Sequence, residues 1–115
     1  MCNNCKVIEK LFDAANSNPH LNYMPVYFFL QELLRQKRIE IYAGDCPFEN
    51  ALEVLDSEMH YTVCFYLRCT KCDDIYFFGA CIRGKPVYKK INNIYAEKIE
   101  NMIWGREGIY FEMRW

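Results

Sequence analysis

The hydrophobic period of this chain changes near His60, and that change restricts the folds open to it. Upstream, apolar residues recur at helical spacing. Val7, Leu11, Phe12 and Ala15 form one stripe, and Asn16-Ser17-Asn18-Pro19 ends it. Val26, Phe29, Leu30, Leu33 and Leu34 form a second. Pro25 sits in its first turn, where a missing N–H costs nothing, and Arg35, Lys37 and Arg38 suit the negative end of the helix dipole. After a short strand from Ile39 to Tyr42, a third stripe comprises Phe48, Ala51, Leu52 and Leu55. Asp45 or Cys46 is its expected cap, with Pro47 at the first helical position.

Downstream the period is two. Tyr61, Val63, Phe65 and Leu67 alternate with Thr62, Cys64, Tyr66 and Arg68. Cys69-Thr70-Lys71-Cys72 reads as a hairpin turn, Asp74 to Ile82 as the return strand, and Gly84-Lys85-Pro86 as a turn into Val87 to Ile91. Asn92-Asn93 is placed to cap a last short helix carrying Ile94, Ile99, Met102 and Ile103, with Gly105 at its end. Ile109, Phe111, Met113 and Trp115 alternate in a closing strand. This order predicts an α+β fold: N-terminal helices packed on one face of a mainly antiparallel sheet of about four or five strands. No linker or repeat divides residues 1–115, which read as a single domain.

Hydrophobic residues are 52% of the chain and aromatics 17%, which excludes a disordered or low-complexity protein. The 14 basic and 15 acidic residues give a net charge of −1, which argues against a generic nucleic-acid binder. The N-terminus lacks the pattern of a signal peptide, and the apolar cluster around Val26 to Leu30 is too short for a membrane span. A cytoplasmic location is therefore expected, where thiols stay reduced or bind metal.

Seven cysteines include two short pairs, Cys2-x-x-Cys5 and Cys69-x-x-Cys72. Two intervening residues allow both sulfurs to reach one ion, and zinc takes four soft ligands at tetrahedral corners. A structural zinc on Cys2, Cys5, Cys69 and Cys72 would staple the N-terminus to the hairpin. The alternative is four free thiols. Asp73 stands where such knuckles often carry glycine. Cys46, Cys64 and Cys81 read as small core residues.

No nucleophile elbow, phosphate loop or metalloprotease helix is present. His60 and Cys64 lie about 13 Å apart by strand rise, too far to pair. These absences favour a non-catalytic protein. Charge, by contrast, is segregated. Between Arg38 and Arg68 there is no Lys or Arg, but there are Glu40, Asp45, Glu49, Glu53, Asp56 and Glu58, a net of −6. The block reads as a docking face for a basic partner, or as a plain solvated helix face. Arg83, Lys85, Lys89 and Lys90 surround Tyr88 and read as an RNA-holding hairpin or as an edge strand guarded by lysines.

The stretch from His60 to Ile91 resembles small cytosolic immunity proteins of bacterial toxin–immunity systems, including contact-dependent growth inhibition. The resemblance rests on its aromatic hairpin, its CxxC turn and the return from Gly79 to Tyr88. It implies a non-enzymatic protein that binds and neutralises one cognate toxin domain. Such toxins are often nucleases with basic clefts, which the acidic block would fit. The alternatives are a zinc-ribbon-like nucleic-acid-binding or regulatory module, and a small thiol-dependent enzyme. Tyr76, Phe78, Tyr110 and Trp115, if exposed, would also serve a homodimer.

Overall fold

The computed structural model describes residues 2–18, 23–82 and 84–112. Helix α1 (Asn3–Asn16) and helix α2 (Met24–Arg35) lead into strand β1 (Ile39–Gly44). A 3-10 turn over Phe48–Asn50 runs into α3 (Ala51–Asp56). Strands β2 (Thr62–Cys69), β3 (Ile75–Cys81) and β4 (Val87–Ile91) follow, then α4 (Ala96–Met102) and the four-residue α5 (Ile109–Glu112). The strands form one antiparallel sheet in the order β1-β2-β3-β4, giving the expected α+β class.

Alternation along the strands gives each sheet face its own core. Val63, Phe65, Leu67 and Cys69 of β2, with Tyr76, Phe78 and Ala80 of β3, face the helices α1 to α3. Helix α1 presents Cys5, Ile8 and Phe12, and α2 presents Val26, Tyr27, Leu30 and Leu33. Both stripes are rotated slightly from the expected ones: in α1 Cys5 and Ile8 are buried while Val7, Leu11 and Ala15 are only partly so, and in α2 Tyr27 rather than Phe29 enters the core. The Tyr27 ring stacks on Phe48 at 4.7 Å, and its hydroxyl donates to the Phe48 carbonyl at 2.6 Å. Burying each such side chain contributes roughly 1.5–3 kcal/mol.

The opposite face is covered too, by the C-terminal segment. Ile99, Ile103, Tyr110 and Phe111 pack on Ala43, Cys64, Tyr66, Ile75 and Phe77. The closing strand expected from Ile109 is therefore corrected to a short helix over Ile109–Glu112, and Met113 to Trp115 lie outside the described residues. Tyr110 and Phe111 are both buried, whereas a strand would send them to opposite faces. A bulge between Ile41 and Ala43 helps this arrangement. It turns Ala43 toward the second face.

Asp45 fastens the C-terminal segment instead of capping a helix. Its carboxylate accepts the backbone N–H groups of Cys64 at 2.7 Å, Trp104 at 2.6 Å and Gly105 at 3.0 Å. Burial pushes this carboxyl above the ordinary range, while the three N–H groups pull the other way. Gly105 is needed for close approach, since a Cβ there would lie 1.8 Å from the Asp45 carbonyl oxygen. Helix α4 ends at Met102 with Ile103 as its C-cap, ahead of Gly105, and its N-cap is Tyr95, so Asn92-Asn93 does not cap it.

Candidate metal centre

Cys2 occupies the N-cap of α1 and Cys5 its first turn. Cys69 ends β2, and the tight connection to β3 brings Cys72 back beside it. The Cys69 N–H donates to the Asp74 carbonyl at 2.9 Å, and the Asp73 N–H donates to the Cys69 carbonyl at 3.0 Å. Asp73 has φ 65, so an aspartate adopts the left-handed conformation at the position where such knuckles often carry glycine. The Thr70 hydroxyl and N–H both donate to the Arg38 carbonyl, holding the turn against the start of β1.

The four sulfurs of Cys2, Cys5, Cys69 and Cys72 all lie within 4.8 Å of one another. Cys2 Sγ is 3.4 Å from Cys69 Sγ and 3.6 Å from Cys72 Sγ, and Cys5 Sγ is 3.1 Å from Cys72 Sγ. A tetrahedral ion with metal–sulfur bonds of about 2.3 Å requires sulfur separations of about 3.8 Å. The four cysteines are thus close enough to bind one metal ion after small adjustments.

Surrounding groups are arranged for thiolates. The Lys71 N–H points at Cys69 Sγ from 3.4 Å, and Asn4 Nδ2 from 3.8 Å. Asn4 is buried between the two N-terminal cysteines. It donates to the Arg38 carbonyl at 2.9 Å and accepts from Arg38 Nε at 2.8 Å. The Tyr76 ring is fully buried beside Cys5, and among the described residues its hydroxyl has no well-formed hydrogen bond. An ionised Cys5 sulfur would supply the missing acceptor, so the donor set and its surroundings both fit a bound cation. Asp74 Oδ2 stands 3.7 Å from Cys5 Sγ and 3.3 Å from Lys90 Nζ, and Lys90 holds that carboxyl below its usual range. The Cys5 backbone N–H is the main influence bringing the Cys2 thiol down to about 6, whereas burial pushes Cys5 well up. Binding a cation would hold both as thiolates.

The six acids of the charged block have separate fates. Asp45 is 4% exposed and occupied by backbone N–H groups, which removes it from any docking surface. Glu40 accepts from Arg68 Nε at 2.6 Å, across β1 and β2. Glu49, Glu53, Asp56 and Glu58 are exposed along the segment from the 3-10 turn to the end of α3, and form no ion pair among the described residues.

The basic hairpin is divided. Tyr88 is buried, Lys90 pairs with Asp74, Lys89 lies on the other sheet face, and Arg83 falls outside the described residues. Tyr88 is therefore not available for stacking a base. Tyr76, Phe78 and Tyr110 are likewise buried, which corrects their expected place on a dimer surface. His60 lies flat on Trp104 with ring centroids 3.7 Å apart. Burial pushes the Cys46 thiol up to about 11 and the Cys64 thiol up to about 12, leaving both poor nucleophiles at neutral pH.

The sequence pattern showed the four cysteines but missed Asn4, Asp74 and Tyr76. Asn4 and Asp74 do lie within or next to the cysteine pairs, and that adjacency is a usable signal. Tyr76 carried none beyond strand alternation. Comparison with protein-family models, curated proteins and solved structures finds no match for this chain. Among the described residues, no helix is long and apolar enough to cross a membrane.

Proposed function

We propose that this chain is a non-catalytic protein-binding domain, fastened by a structural zinc and docking through its acidic ridge onto a basic partner protein. The observation that carries the docking role is the run of Glu49, Glu53, Asp56 and Glu58, exposed together without a neutralising cation among the described residues. Such a surface raises the local potential and speeds encounter with positive charge. The resemblance of the hairpin region to immunity proteins supplies the partner class, a toxin domain with a basic substrate cleft. Cys2, Cys5, Cys69 and Cys72 would hold zinc as four thiolates. With sulfur in every position, the ion supplies a cross-link and leaves no site for substrate.

The test uses the protein encoded by the adjoining reading frame as its probe, with any active site of its own inactivated. A one-to-one complex is expected, with association slowing as salt rises. The double variant Glu49→Lys, Glu53→Lys should slow association about tenfold at low salt. A neighbouring product that does not bind, or association indifferent to both salt and charge reversal, contradicts the proposal.

A further inference from the structure

The second sheet face carries a cleft that neither the cysteine cluster nor the acidic ridge accounts for. It encloses about 350 Å³ where α4 and the residues leading into it cross β2 to β4. That volume lies at the small end of the range for ligand sites, about 300–1,000 Å³. Tyr66 and Phe77 form a buried aromatic floor. Lys89 of β4 and Lys98 of α4 line the cleft, together with Asn93 and Asn101. Lys89 Nζ is 5.6 Å from the centroid of the Phe77 ring, so its charge stands over the floor.

No carboxylate lines the cleft, and neither lysine is in an ion pair among the described residues. Lys90, the next residue, shows the contrast, being matched to Asp74 on the opposite face. Lys98 Nζ stands 5.6 Å from the centroid of the Tyr95 ring, and both lysines are exposed, so a bound anion would pair with them at the mouth of the cleft. The floor favours a flat ring, through offset or edge-to-face contact. The two amides can donate to or accept from polar substituents.

We propose that this cleft binds a small aromatic anion, its ring against Tyr66 and Phe77 and its carboxylate or phosphate held by Lys89 and Lys98. The proposal is independent of the docking role and of the metal.

Calorimetric titration of the full chain with 2-naphthoate and with phenyl phosphate tests it, with 2-naphthylmethanol as the neutral control. At least one anion should saturate at one per chain, and the alcohol should bind about tenfold more weakly or not at all. Saturation by the carboxylate alone, or by the phosphate alone, identifies which anionic group the site takes. Lys89→Gln and Lys98→Gln should each weaken binding about tenfold. Lys85→Gln, in the turn between β3 and β4, should leave it unchanged. All three lysines are exposed, so circular dichroism of the variants should match the parent. The proposal is overturned if neither anion binds below about 10 mM, if the alcohol binds equally well, or if both cleft variants bind as the parent does. A single-stranded oligonucleotide that binds through Lys85 as strongly as through Lys89 also overturns it.

Discussion

Tyr76 carries a buried hydroxyl beside Cys5, without a well-formed hydrogen bond among the described residues, and an ionised Cys5 sulfur would be a much stronger acceptor for it than a neutral thiol. A buried unpaired donor costs about 1–3 kcal/mol. Tyr76→Phe should therefore leave the metal-free protein as stable or more stable, while weakening zinc binding by about tenfold. Thermal melting in chelator and competition against a chromophoric chelator measure the two effects. Unchanged zinc affinity in the Phe variant would show that the hydroxyl plays no part in holding Cys5. Individual residues were legible in the sequence only where local spacing carried the information. The cysteine pairs met that condition, since two intervening residues fix how far apart two sulfurs can lie. Asp45 did not, because the count of acids says nothing about which one is buried. Its burial depends on Cys64 and on residues 104–105, far along the chain.

Elements long enough to show a period were legible for the same reason. The hairpin of β2 and β3 follows the alternation from Val63 to Leu67, and Pro25 sits in the first turn of α2 as expected. The C-terminal segment was not legible. Four residues such as Ile109 to Glu112 are too few to tell a helical period from a strand period, and tertiary packing decides. Asp45 is the device that places this segment. Asp45→Asn should cost about 2 kcal/mol, because an amide NH₂ would replace one accepting oxygen and face a backbone N–H. Urea denaturation measures the loss. A change below about 0.5 kcal/mol, the ordinary range for surface substitutions, would mean that the carboxylate does not tie these elements together.

At the scale of the molecule, helices cover both sheet faces, and the proposed metal closes the first face from the N-terminus. Cys2 and Cys69 are 67 positions apart, so a cross-link there removes much freedom from the unfolded chain. By analogy with a disulfide across such a loop, the effect is about 4 kcal/mol. The acidic ridge and the lysine-lined cleft lie on surfaces that this framework holds in place, so the metal is the claim to test first. The most direct measurement is the zinc content of the chain, purified without chelator from zinc-containing medium, beside that of the Cys72→Ser variant. About one zinc per chain in the parent and a large loss in the variant is the expected result. A parent free of transition metal, or equal zinc in both proteins, would contradict a four-cysteine centre.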